Sequence, residues 1–154
     1  MREYKQFING ELRESASTDR IEVENPYTGK IVATVPNGDE ADARFALESA
    51  QNAQPAWEAL PAAVRASYLK KMAGAIRDNR EKLSRILAAE QAKVLPLAQA
   101  EVDFTAEYFD YYAGWARIFE GDIIQSDRPN ESIFLFRKPM GVVVNRAGLP
   151  EDEL

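Results

Sequence analysis

The 154-residue sequence contains neither cysteine nor histidine. Those two absences remove thiolate nucleophiles, disulfides, imidazole bases and the customary zinc ligands together. Glycine is sparse, and its eight residues stand apart, so no strand leads into Gly-x-Gly-x-x-Gly or Gly-x-x-x-x-Gly-Lys. Positive charge is in the minority: 19 Lys and Arg, scattered along the chain, face 25 Asp and Glu and leave a net charge of −6. A surface of that sign disfavours nucleic acid and anionic lipid as partners. Long apolar runs are missing too. None approaches the roughly 18–20 residues of a membrane span, and Met1-Arg-Glu-Tyr-Lys-Gln6 leads into no apolar signal core. The expectation is a cytoplasmic protein without a membrane partner, a setting that the lack of cysteine permits.

What is present suffices for one ordinary domain. With 45% hydrophobic residues, a chain of this length would bury roughly 68–70% of the surface its unfolded form exposes. Residues 4–36 read as short strands joined by turns: 4–8, a turn at Asn9-Gly10, 11–13, 21–24, a second turn at Asn25-Pro-Tyr-Thr-Gly29, and 31–35. The period then changes. Asn37-Gly-Asp39 offers a cap, Asp42 follows three residues later, and Ala43, Ala46, Leu47, Ala50 and Ala53 recur at helical spacing, predicting a first helix over about 39–54.

A second helix is expected to start at Pro61, with Val64, Tyr68, Met72 and Ile76 on one side, and a third after Asn79, with Leu83, Ile86 and Leu87 inward. A fourth follows Pro96. Its stripe of Leu97, Ala100, Phe104, Tyr108, Tyr111, Trp115 and Ile118 runs through about Phe119, with Gly121 as its C-terminal stop. After a polar turn at Asp127-Arg-Pro-Asn130, Ser132-Ile-Phe-Leu-Phe-Arg137 reads as an aromatic edge strand and Gly141-Val-Val-Val144 as the start of a buried one. Residues 145–154 are polar, acidic and turn-prone, as readily disordered as folded.

Three constellations invite chemistry. Asp103, Glu107 and Asp110 share a face of the fourth helix; they suit a cation or a split acid–base pair, and equally the solvated side opposite the aromatics, which is the preferred reading. The row Phe104, Tyr108, Tyr111, Trp115 resembles a stacking platform but is read as core or interface packing. Lys93, after Glu90-Gln-Ala, has no base that could activate it, so no catalytic centre emerges.

Taken in order, Phe7-Ile-Asn-Gly-Glu11, Val23-Glu-Asn-Pro-Tyr-Thr-Gly29, Ile31-Val-Ala-Thr-Val-Pro36, Glu90-Gln-Ala-Lys93, Tyr112-Ala-Gly-Trp-Ala116 and Lys138-Pro-Met-Gly-Val-Val143 resemble the N-terminal third of the NAD(P)-dependent aldehyde dehydrogenase superfamily. Glu120-Gly-Asp-Ile-Ile-Gln-Ser-Asp-Arg-Pro129 is most similar to its bacterial lactaldehyde and glycolaldehyde dehydrogenase branch. The resemblance implies an α/β family fragment: an N-terminal β-hairpin region, about four helices and a C-terminal strand pair, lacking most of the dinucleotide-binding sheet. It divides the chain into a family-like segment, 1–144, and a divergent tail, 145–154. In the family, the stretch matching residues 132–137 belongs to an oligomerisation arm and that matching Val142 to Val144 enters the cofactor-binding sheet.

The family oxidises aldehydes on a catalytic cysteine with NAD(P) as hydride acceptor. Its Pro-Trp-Asn motif would follow Val144, where this chain has Asn145-Arg-Ala-Gly-Leu-Pro150. The nucleophile, the general-base glutamate and the cofactor glycines have no counterpart, so no catalytic or cofactor-binding residue is assigned and no cofactor is expected for this chain alone. The resemblance also implies a structural monovalent cation on the backbone carbonyls of Val23 and Glu24 and the side chain of Glu90, although Glu90 is longer than the family's acid and Ala92 stands at its glycine. Three functional expectations result: a truncated homologue inactive by itself; an interaction module pairing with itself or a full-length subunit through residues 132–137; or an independent helical domain of unrelated role.

Overall fold

The structure, a computed structural model, describes residues 2–145. Most of the expected tail, residues 146–154, lies outside the described residues. Strand β1 (Arg2–Glu3) runs parallel to β5 (Lys30–Pro36), and β5 pairs antiparallel with β4 (Arg20–Asn25), giving the order β1-β5-β4. Between them, β2 (Gln6–Ile8) and β3 (Glu11–Arg13) form a separate hairpin. The strand expected over 4–8 is shorter, 6–8, and a separate two-residue strand precedes it. Tyr4 and Lys5 lie between the two because the chain there leaves β5, where Tyr4 N still donates to Thr34 O at 3.0 Å, to begin another sheet.

The turns obey their sequence signals. Asn9 and Gly10 have φ of 54° and 81°, the left-handed pair that a two-residue hairpin demands. At the second turn the Asn25 side-chain oxygen accepts from Tyr27 N and Thr28 N, both at 3.0 Å.

Helix α1 (Glu40–Glu58) starts on a complete capping box, in which Asp39 Oδ1 accepts from Asp42 N at 3.0 Å while the Asp42 carboxylate reaches back to Asp39 N. It extends four residues past the expected end. Pro55 costs one hydrogen bond in the last turn, and the ladder resumes with Ala59 N on Pro55 O at 3.1 Å. Asp42 also fastens α1 to the loop after β3, accepting from the Ser15 hydroxyl and from Ala16 N at 3.1 Å. These bonds, the Ser15 hydroxyl foremost, hold its carboxyl at about 2. A depressed folded-state value means that the stabilisation is complete above the unfolded value near 3.8 and is lost as pH falls towards 2. Acid titration followed by far-ultraviolet circular dichroism should show α1 loosening in that window, and Asp42→Asn should weaken the docking at neutral pH and flatten the acid response.

Helix α2 (Ala62–Asp78) follows Pro61, its N-cap; α3 (Arg80–Gln91) begins after Asn79; α4 (Leu95–Gly114) carries Pro96 in its first turn. The fourth helix ends earlier than expected. A single 3-10 turn, Trp115–Arg117, comes after it, so Gly121 lies beyond the helix instead of stopping it. Helix α4 packs along α2 and α3.

The α3 residues expected inward are only partly so, with Ile86 and Leu87 half-buried and Leu83 exposed, whereas the α4 stripe reverses its core reading. Among the described residues the buried apolar ones are Ala33, Ala66, Ala73, Ala98, Val102, Ala106 and Ala113, and the largest fully buried side chain is Ser84, whose hydroxyl donates to Arg80 O at 2.7 Å. The α2–α4 seam is thus made of small residues that let the backbones approach. Val64, Tyr68, Met72 and the aromatic stripe of α4 are exposed. A period of 3.6 says which residues share a face, not which face turns inward.

At the C-terminal end, β6 (Asp122–Gln125) pairs antiparallel with β7 (Ser132–Leu135). The strand pair exists, but it is 122–125 with 132–135 and not 132–137 with 141–144. Residues Gly141 to Val144 form no strand, because no neighbouring strand stands beside them among the described residues; Val142, Val143 and Val144 instead line a groove with Ala43, Leu47 and Ala50 of α1.

Candidate functional site

The outward face of α4 is a ladder of aromatic rings. Phe104, Tyr108, Tyr111, Tyr112 and Trp115 recur at helical spacing, and Phe104 keeps 65% of its surface exposed. Ring centroids lie 4.9 Å apart for Tyr108–Tyr112, 5.2 Å for Tyr111–Tyr112 and 6.0 Å for Tyr111–Trp115, all edge to face. The Tyr108 and Tyr112 hydroxyls share a hydrogen bond at 3.2 Å, which pushes the Tyr112 phenol above its ordinary range. Rigid rings holding one another in place are the anchors that interfaces favour. The core reading of this stripe is therefore corrected: within this chain it faces outward.

The second exposed apolar surface is the β6–β7 hairpin. All eight of its residues are exposed, and cross-strand pairs Ile123↔Phe134 and Ile124↔Ile133 leave large side chains open. Its base is closed by Arg137, which donates Nε to Glu120 O at 3.0 Å and lies 5.3 Å from the Phe119 ring centre. Strand β6 escapes a reading by sequence pattern because Asp122-Ile-Ile-Gln125 is short and does not alternate. The aliphatic pair after Gly121 is the available signal.

The acidic face of α4 is not simply solvated. Asp103 receives both Arg80 Nε and a terminal guanidinium nitrogen, at 2.6 and 2.7 Å, and Asp110 receives Arg77 at 2.7 Å. The Arg80 hydrogen bonds hold the Asp103 carboxyl below its usual range and raise the guanidinium in return. These two carboxylates are committed to joining α4 to its neighbours, so they do not form a split acid–base pair; Glu107 alone stays exposed. Lys93 is ion-paired with Glu101. Among the described residues, no group of three or more Asp or Glu is placed to hold a metal ion.

The residues implied for a cation fall near each other without sharing one cavity. Val23 and Glu24 lie on β4 where the ladder slips: Val23 pairs with Ala33 and Glu24 with Ile31, leaving Val32 unmatched. Glu90, in the last turn of α3, lines a cavity of about 590 Å3 together with Val32, Ala33, Arg2, Lys82 and Arg85. The cavity does not reach Val23 or Glu24, and the Glu24 carboxylate turns back towards Gly29. Ala92 caps α3 with φ of 51°, a left-handed conformation that costs a residue with a Cβ roughly 1–2 kcal/mol. Ala92→Gly should therefore raise the unfolding free energy by about 0.5–1 kcal/mol, since glycine's looser unfolded chain offsets part of the relief. Urea titration of the two proteins measures it.

Small sheets at one end, helices joined through alanine and bulky faces turned outward describe one layer of an α/β fold, and comparison identifies which. The chain belongs to the aldehyde dehydrogenase family, which it matches over residues 12–145. It is 44% identical to lactaldehyde dehydrogenase of Escherichia coli over 140 residues, 91% of this chain and 29% of the relative. It is 40% identical to 3,6-anhydro-alpha-L-galactose dehydrogenase of a Vibrio species over 144 residues, 94% of this chain and 30% of that protein. The crystal structure of the Escherichia coli lactaldehyde dehydrogenase superposes with a TM-score of 0.83, covering 86% of this chain and 28% of that one. A betaine aldehyde dehydrogenase of Staphylococcus aureus, in complex with NAD+, superposes at 0.76 with 31% identity, covering 82% of this chain and 26% of that one. The chain thus spans less than a third of the length of these relatives. No helix among the described residues is long and apolar enough to cross a membrane.

Proposed function

We propose that this chain is the N-terminal scaffold of an NAD(P)-linked aldehyde-oxidising enzyme acting on small hydroxyaldehydes, and that alone it oxidises no aldehyde. The observation that carries the second half is the absence of cysteine from the sequence. Oxidation through a covalent adduct needs an activated nucleophile, and the groups nearest to that role are engaged: Lys93 with Glu101, Asp103 with Arg80. Similarity to lactaldehyde dehydrogenase supports the substrate class. A hard cation on the Val23 and Glu24 carbonyls and the Glu90 carboxylate belongs to the same reading. The irregularity in the ladder at Val23 and Glu24, where Val32 of the facing strand is passed over, is the feature of this region that supports it. The test is NADH formation from NAD+ and lactaldehyde or glycolaldehyde by the purified chain. No aldehyde-dependent rate should appear, and a rate that scales with chain concentration overturns the proposal.

A second reading has its own support. The β6–β7 hairpin is open on both faces, and a two-stranded ribbon by itself is marginal in water, so residues 132–137 are suited to add to a second copy or to a full-length subunit. Co-expression with an intact family member separates the two readings: a stable mixed oligomer supports association, whereas separate elution sinks it. An independent helical domain has the least support, because so small a buried apolar set gives the layer little interior of its own. A cytoplasmic location fits the scaffold reading.

A further inference from the structure

The chain contains two Asn-Gly pairs, Asn9-Gly10 and Asn37-Gly38, and the fold treats them oppositely. We propose that Asn37-Gly38 is a site of spontaneous deamidation and backbone isomerisation, and that Asn9-Gly10 is shielded from the same reaction by its turn. The chemistry requires only solvent. The Gly38 backbone nitrogen, on losing its proton, attacks Cγ of Asn37; the new C–N bond closes a five-membered imide as the side-chain amide leaves as ammonia. Water then opens the ring. Addition at Cγ yields aspartate, and addition at the α-carbonyl yields isoaspartate, whose main chain is one carbon longer.

Glycine in second place leaves the attacking nitrogen without a neighbouring Cβ, which both pairs provide. What differs is the freedom to bring nitrogen and carboxamide together. Asn9 and Gly10 are locked at positive φ in a two-residue hairpin, and the Ile8↔Glu11 pair closes directly over them. Swinging Gly10 N behind the Asn9 carboxamide means leaving the left-handed well and opening that pair. Asn37 and Gly38 are both exposed and belong to no strand or helix; they bridge the end of β5 at Pro36 and the Asp39 cap of α1. Asn37 N is tied to Asp19 O at 2.9 Å, whereas the Gly38 amide donates to no partner among the described residues.

The position of this pair makes its chemistry consequential for α1. An added backbone carbon at position 37 falls two residues before the Asp39–Asp42 capping box, whose Asp42 also carries the bonds to Ser15 and Ala16. Isomerisation there displaces the point from which α1 is hung.

The full chain, incubated at mildly alkaline pH, is sampled over time by peptide mapping for the mass gain of deamidation, with enzymatic isoaspartyl methylation as a second readout. Conversion at Asn37 should run about tenfold faster than at Asn9, equivalent to ~1.4 kcal/mol for opening the hairpin. In denaturant the two rates should converge, and Asn37→Gln should remove the fast isoaspartyl signal. Glutamine is preferred to a change at Gly38, where a Cβ would sit 3.0 Å from Gln6 Nε2. Equal or inverted rates in the native chain overturn the proposal. So does a difference that persists in denaturant, since it would then come from neighbouring sequence and not from the fold.

Discussion

Ala106→Asp should lower the unfolding free energy by about 3–5 kcal/mol, the scale of an uncompensated charge in a packed interior. Ala106 is 0% exposed and sits where α4 meets α2, in the seam shared with Ala66, Ala73 and Ala113. A carboxylate there has no hydration, and the nearby guanidinium groups of Arg77 and Arg80 are already taken by Asp110 and Asp103. Ala106→Leu tests the steric half of the argument separately: it adds volume without charge and should cost about 1–3 kcal/mol. Ala100→Asp, on an exposed position of the same helix, should stay within about 0.5 kcal/mol. Urea unfolding followed by circular dichroism ranks the three. Equal effects at positions 100 and 106 would mean that the α2–α4 seam is not closed.

The second large effect is expected at Gly121, just before β6. A Cβ built there would lie 1.9 Å from Leu135 O, a backbone atom that cannot step aside. Gly121→Val should therefore separate β6 from β7. Overpacking a site typically costs about 1–3 kcal/mol, which exceeds what an isolated two-stranded ribbon holds in reserve. The readout is hydrogen exchange across residues 122–125 and 132–135, where any ladder protection should be lost while the amides of α2 and α4 keep theirs. Retained protection in the variant would show that the strands close by another route.

Local signals were legible in the sequence. Asn9-Gly10 predicted a hairpin and one formed; Asn37-Gly-Asp39 with Asp42 predicted a cap, and the structure shows both arms of the box. Partner-dependent features were not. Phe104, Tyr108, Tyr111 and Trp115 form a stripe in either orientation, and only the close approach of α2 to α4 through alanine decides that the stripe faces out. Val142 to Val144 have strand composition, yet a parallel strand needs neighbours, and residues 2–145 bring it none. The candidate site was legible only in part. Glu90, Val23 and Glu24 came from family resemblance, whereas Asp42 as an anchor and Arg80 as the partner of Asp103 depend on residues 26 and 23 positions away, which no local pattern reveals.

The alanine seam also has a calorimetric meaning. Heat capacity rises on unfolding in proportion to the apolar area released, ordinarily about 12–15 cal/mol/K per residue. Among the described residues the fully buried apolar side chains are six alanines and one valine, so the heat-capacity increment should fall below that range and the stability curve should be correspondingly shallow. Curvature enters only when something covers the aromatic face of α4 or the β6–β7 ribbon, and the negative heat capacity of that event measures how much of the interior a second surface supplies.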